Sequence, residues 1–272
     1  MSAISADPAY ALDCDEEPLR LERQARLYGV EDDLARLAPR AADRVLDAGC
    51  GAGSLTRAIA RRVPQGATVG LDREPRYLDY ALRQAATEEL GNVRFEVGDA
   101  TRLPFADGSF DLVWSKHLLQ WVPDREGALG EFVRVVRPGG RIVCCNFDGF
   151  CLSHHPTDVR IQADLERWFA AAREQLGFDN WLGSKLPAMF RRAGLRNVRV
   201  EVTLDKAFSG FGGDPERQWN WEVQFRSVLP FSERVFGSPQ AAAEFTDRVL
   251  KHFANPDVYF HCTLCYVEGT VP

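Results

Sequence analysis

The sequence has no run approaching the ~18 apolar residues that a helix needs to cross a bilayer. It also has no Lys/Arg-rich tract. Its longest basic clusters are the pairs Arg61-Arg62 and Arg191-Arg192, each in a helix-like context that reads as a solvated face. The net charge is −6, which argues against a surface built to neutralise nucleic-acid phosphates. Residues 1–12 lack a basic segment followed by an apolar core, so no secretory leader is expected. The seven cysteines are odd in number and scattered, which fits free thiols in a cytoplasmic protein better than a disulfide framework. Internal repeats and low-complexity tracts are absent too.

What remains is an ordinary globular composition, 45% hydrophobic and 26% charged over 272 residues. A chain of this length buries about three quarters of the surface it exposes when unfolded, so it needs neither metal nor disulfide for stability. Leu19–Leu37 has helical spacing and is closed by Pro39. From residue 44 short apolar runs alternate with amphipathic segments. Strands are expected at 44–48, 68–71, 92–97, 110–114 and 141–147, with helices at 54–63, 76–90 and 125–136 and a turn at Pro138-Gly139-Gly140. This alternation predicts a parallel sheet with right-handed crossovers. Further on, helices are expected at 158–176 and 184–193, strands at 198–204 and 258–267, and a helical and loop-like stretch at 208–257.

The segment Val45-Leu46-Asp47-Ala48-Gly49-Cys50-Gly51-Ala52-Gly53 joins the first strand to its helix. A ligand approaching such a turn requires backbone without obstructing Cβ atoms, which Gly49, Gly51 and Gly53 provide. A dinucleotide turn has G-x-G-x-x-G, with pyrophosphate on the helix N-terminus. Here the third glycine comes one position early and Ser54 stands where Gly or Ala is wanted. Asp47 would repel a pyrophosphate but pairs readily with the ammonium of an amino-acid ligand. S-adenosylmethionine (SAM) carries that ammonium and has no phosphate. Asp72 ends the second strand, where a carboxylate can accept both ribose hydroxyls, with Arg73 following it. Asp99-Ala100 follows the third strand and is placed to read an adenine amino edge.

Residues 45–147 resemble a class I SAM-dependent methyltransferase domain of the small-molecule type. The resemblance rests on Val45–Gly53, Asp72, Asp99-Ala100, Phe110-Asp111-Leu112-Val113 and Arg137-Pro138-Gly139-Gly140. Residues 114–124 are similar to the fourth-strand region of trans-aconitate and malonyl-carrier methyltransferases; this implies that Ser115 and Lys116 border the methionine part of SAM and that Gln120 lies near the transferred methyl. Tyr10 with Glu17-x-x-Arg20-Leu21-x-x-Gln24 is similar to a pattern of natural-product methyltransferases. It implies a lid, with Tyr10 over the sulfonium and Arg20 and Gln24 near the SAM carboxylate. Arg20 and Gln24 are one helical turn apart and share a face.

The expected fold is α/β, a Rossmann-like doubly wound sheet of seven mostly parallel strands, the last antiparallel, with a helical cap or insertion. Residues 1–40 are read as a helical lid, 41–150 as the SAM-binding core, and 151–272 as substrate-binding helices with the final strands of the same sheet. The expected activity is methyl transfer to a small, apolar or aromatic metabolite at O, N or C, in secondary metabolism; the alternative is a cyclase or other non-methylating enzyme that retains SAM. Expected partners are a small-molecule substrate and, at most, a second copy in a homodimer, with no nucleic acid and no membrane. Candidate bases are His117, His154 and His155. No metal is expected: carboxylate clusters of fitting spacing are absent, and Cys262-x-x-Cys265 lies in a strand-like run, where positions three apart face opposite ways. Residues 208–236 combine Gly210, Gly212 and Gly213 with aromatics, and are read as a mobile loop whose Trp219 and Trp221 help form an apolar acceptor pocket.

Overall fold

A computed structural model describes residues 14–272, with no side-chain description for 205 and 206. The chain begins with α1 (Glu17–Tyr28) and α2 (Val30–Leu37). The helix expected across 19–37 is therefore two helices. Gly29 lies between them at φ 83°, a left-handed conformation that ends α1 and redirects the chain.

The alternating region follows as β1 (Arg44–Ala48), α3 (Ser54–Arg62), β2 (Ala67–Asp72), α4 (Pro75–Thr87), β3 (Val93–Val97), β4 (Phe110–Lys116), α5 (Arg125–Val135) and β5 (Val136–Asp148). The turn expected at 138–140 is a bulge inside β5: the β4 register shifts between Phe110 and Leu112, and Gly139 has φ 76°. Next come β6 (His154–His155), α6 (Val159–Leu176), α7 (Leu186–Arg192), β7 (Arg196–Ser209), α8 (Pro215–Ser227), α9 (Leu229–Phe236), α10 (Pro239–Ala254) and β8 (Tyr259–Thr270). Residues 215–254 are thus three helices, in line with the helical part of the stretch expected at 208–257, and the loop read at 208–236 is confined to 210–214. Asp214 and Ser238 cap two of them, each followed by proline in the first turn.

The sheet order is β3-β2-β1-β4-β5-β8, with β6 and β7 both paired to β8. β1 to β5 are parallel to one another, and β8 runs antiparallel to β5 and β7. The chain leaves β1 toward β2 and β3, then returns to place β4 on the other side of β1. This reversal opens a crevice at the carboxyl ends of β1 and β4, the place where sheets of this kind take ligands. One face of the sheet packs Val45, Leu112, Trp114, Val143 and Phe147 against α2, α3, α6 and α8–α10. The other packs Leu46, Val69, Ile142 and Cys144 against α5 and α7. Asp47 follows Val45 on the first face and interrupts its apolar surface at the strand end. Cys262 and Cys265 are buried free thiols, and among the described residues no group of three or more His, Cys, Asp or Glu is placed to hold a metal. No described helix is long and apolar enough to cross a membrane.

Candidate active site

A cavity of about 560 Å³ opens at that crevice. One end is built from strand ends and the glycine turn. Gly49, Gly51 and Gly53 all have positive φ, at 77°, 53° and 74°. A Cβ on Gly49 would sit 2.8 Å from that of Leu118, so the turn and the segment after β4 approach as closely as only glycine allows. Gly53 serves packing instead: a Cβ there would meet Phe95 and Ala81 at 2.7–2.8 Å.

Three carboxylates face this end. Asp47 is 3% exposed and accepts a 2.6 Å hydrogen bond from the Thr56 hydroxyl. Burial, with Asp72 and Asp33 nearby, pushes its carboxyl up to about 7 against the Thr56 hydrogen bond. Asp72 accepts from the Gly51 N–H at 2.8 Å and the Glu74 N–H at 3.1 Å, and burial raises its carboxyl above the ordinary range. Glu74, not Asp72, caps α4. Asp99 is exposed, and its Oδ1 accepts from the Thr101 N–H and hydroxyl, both at 2.8 Å.

The middle of the cavity is bordered by α1, α2 and the segment after β4. Arg20 is buried, forms a two-pronged pair with Glu17, and donates to Gln24. Lys116 Nζ lies 2.7 Å from Asp33 Oδ2, while Asp33 Oδ1 accepts from the Tyr266 hydroxyl at 2.8 Å. Burial, together with Cys145 and Asp33, pushes the Tyr266 phenol far up. Gln120 is buried, and its Oε1 accepts from Asn146 Nδ2 at 3.1 Å. His117 has φ 58° in the turn after β4, and its ring lies 4.2 Å from that of Phe147.

The far end is aromatic and aliphatic: Phe147, Phe150, Leu165, Trp168, Phe169, Phe178, Phe225, Val228 and Phe245. Trp121 leads into it, its ring 4.3 Å from Phe178.

Of the residues singled out in the sequence, the structure gathers Arg20, Gln24, Asp47, Gly49, Gly51, Asp72, Arg73, Asp99, Ala100, Lys116, His117 and Gln120 around one cavity. Ser115 lies beneath it, 1% exposed. Tyr10 lies outside the described residues. His154 and His155 are not brought to the cavity. They form β6 against β8, and the His154 ring packs 4.9 Å from His252 and 5.5 Å from Phe253. Trp219 and Trp221 do not line the aromatic end either. Trp219 lies under the Arg23 guanidinium, and Trp221 is fully buried in a cluster with Phe208, Phe211 and Phe260. The sequence reading also missed Tyr28, one turn beyond Gln24 on α1, and Asp33, which lies on α2 past the break at Gly29 so that no spacing from α1 points to it.

The methyltransferase domain family matches residues 46–144. An uncharacterised methyltransferase of Schizosaccharomyces pombe is 36% identical over 200 residues, which cover 71% of this chain and 70% of that protein. The chain belongs to the class I SAM-dependent methyltransferases. A demethylmenaquinone methyltransferase of a Geobacillus species is 36% identical to this methyltransferase over 186 residues, 63% of this chain and 78% of that one. The solved phosphoethanolamine N-methyltransferase 2 of Haemonchus contortus, in complex with SAM, shares the fold with a TM-score of 0.61 at 18% identity. The match covers 95% of this methyltransferase and 57% of that chain. The cofactor of the methyltransferase is SAM.

Proposed function

We propose that this methyltransferase transfers the methyl group of SAM to a neutral, largely apolar small molecule held at the aromatic end of the cavity. The observation that supports this is the charge pattern of the lining. The far end is hydrocarbon and ring surface, while the cations bordering the middle, Lys116 and Arg20, already face the carboxylates of Asp33 and Glu17. An acceptor bearing carboxylates or a phosphate would have to compete with those carboxylates and lose its hydration. An acceptor with ring or isoprenoid surface gains burial at about 25 cal/mol per Å².

The site residues fit SAM. Asp47 keeps a carboxylate oxygen beyond its Thr56 bond and suits an α-ammonium. Two backbone N–H groups fix Asp72 as a receiver for ribose hydroxyls. Asp99 and Ala100 flank the adenine position. Gly49 and Gly51 leave backbone room, Arg73 borders the site, Ser115 lies beneath it, and Lys116, Arg20 and Gln24 surround the methionine end. Bound there, SAM supplies a methyl group on a sulfonium, open to in-line displacement. The chain's part is to orient the acceptor and exclude water. Gln120, fixed by Asn146, borders the transfer position. His117 is the one candidate base that reaches the cavity, and it takes the proton from a hydroxyl or acidic carbon acceptor. The similarity of Glu17–Gln24 to natural-product enzymes supports an acceptor from secondary metabolism.

Truncating Phe178 or Trp168 to Ala is expected to raise the acceptor KM about 10-fold, from losing roughly 60 Å² of apolar contact at about 25 cal/mol per Å², and to leave the Kd for S-adenosylhomocysteine within about twofold. Calorimetry alongside steady-state kinetics separates the two. Equal loss of cofactor affinity would remove the assignment of this end to the acceptor.

A further inference from the structure

A buried charge cluster lies behind the glycine turn; Arg57, Glu22 and Glu88 stand back from the cavity, while Ala52 and Ser54, which they hold, border it. Arg57 of α3 is 2% exposed and uses all three guanidinium nitrogens. NH1 donates to the Ala52 carbonyl, within the turn, at 2.9 Å. NH2 donates to Glu22 Oε2 of α1 at 2.8 Å, and Nε to Glu88 Oε1, just past α4, at 3.0 Å. The same Glu22 oxygen accepts the Ser54 hydroxyl at 2.6 Å, and Ser54 opens α3 directly after the turn. Burial alone would raise the Glu22 carboxyl; Ser54 and Arg57 outweigh it and hold it below the ordinary range.

The placement of α1 gives this cluster a consequence. Leu21, Gln24, Ala25 and Tyr28 lie on one stripe of α1 and border the cavity. Leu21 also reaches within 3.1 Å of where a Cβ on Gly51 would stand. Glu22 is on the adjoining stripe and is the link from α1 to α3.

We propose that the Arg57–Glu22 pair, linked to Ser54, is a positioning unit that couples the seating of α1 to the shape of the glycine turn, and so sets SAM affinity from behind the cavity wall. One guanidinium holds both the turn carbonyl and the α1 carboxylate. Releasing it frees α1 and the turn together and leaves the buried Glu22 carboxylate with only the exposed Arg26 guanidinium at 3.4 Å. SAM, contacting both elements, draws them together and tightens the same link from the other side. The proposal rests on the cofactor and not on the nature of the acceptor, and its readout needs no acceptor.

The test measures SAM binding by calorimetry and hydrogen exchange of residues 17–28, with and without SAM, in Arg57→Met, Glu22→Gln and the double variant. Arg62→Met, at an exposed pair with Glu31, is the control. Arg57→Met is expected to raise the SAM Kd about 10-fold, within the range typical of such couplings. It is also expected to remove most of the SAM-induced protection of α1. The double variant should lose no more than the worse single one, and Arg57→Lys should recover part of the loss. Arg62→Met should match the wild type. Where activity is followed, the change should appear in KM for SAM rather than in kcat. If Arg57→Met does not fold, Glu22→Gln, which keeps the side-chain shape, carries the test. Folded variants with wild-type Kd and wild-type α1 protection would overturn the proposal, as would additive losses in the double variant.

Discussion

Asp47 links the chemistry of the site to pH. Its folded-state carboxyl titrates near 7, far above its unfolded value, because it is buried beside Asp72 and Asp33. A group raised in this way adds stability to the ligand-free protein below its unfolded pKa, and that contribution is lost as pH rises through about 7. SAM binding has the opposite sign, because an ammonium ligand selects the ionised form. SAM affinity should therefore rise with pH up to about 7 and level off above it, falling toward tenfold per unit on the acid side. Calorimetry between pH 5.5 and 8 reads this directly, and a flat profile would separate Asp47 from the ammonium. Asp47→Asn should weaken SAM by about 10- to 100-fold, as expected for a hydrogen bond to a charged group. These residues were legible in the sequence because strand, turn and helix are contiguous there, so spacing alone places Asp47, Gly49 and Asp72. Glu22 and Arg57 were not: they meet across 35 residues, and neither spacing nor residue type marks the meeting.

At the scale of elements, the alternating half was readable because β1, β2 and β4 are buried on both faces and stand out as apolar runs. The region after residue 208 was not. The glycines at 210, 212 and 213 suggested a loop, yet Asp214-Pro215 and Ser238-Pro239 are helix starts. Replacing Asp214 or Ser238 with Ala should cost about 1 kcal/mol each in denaturant unfolding, as loss of an N-cap does. The misassigned histidines have a consequence at this scale too. His154 on β6 packs against His252 on α10, and burial, with His252 nearby, lowers its pKa; burial also lowers that of His252, against the opposing pull of Asp158. With folded pKa values below the unfolded one, both favour folding fully only above about pH 6.5, and the contribution is lost as pH falls through the folded values. The denaturation midpoint should drop between pH 7 and 5, and His154→Gln should flatten that drop. An unchanged slope in the variant would show that the pair does not govern acid stability.

Across the described residues, two cores on the two faces of one sheet leave a crevice at the strand ends whose two ends differ in character. The end at the glycine turn is polar, and we propose that it takes SAM; the opposite end is aromatic. The first end was visible in the sequence as a set of motifs. The second is assembled from β5, α6, α8, α10 and the chain around residue 178, so its aromatics could be counted in sequence but not sorted into wall and core. Trp221 and Trp168 show the difficulty. Both are buried tryptophans in the same half of the chain, and only the fold puts Trp168 at the cavity and Trp221 behind it. The most direct test of the account is transfer of label from methyl-labelled SAM to matched acceptors: a hydrophobic phenol or quinol, and the same ring carrying a carboxylate. The account predicts labelled product from the neutral compound, with the carboxylated one a markedly poorer substrate. Labelling of the carboxylated compound alone, or at equal efficiency, would contradict it.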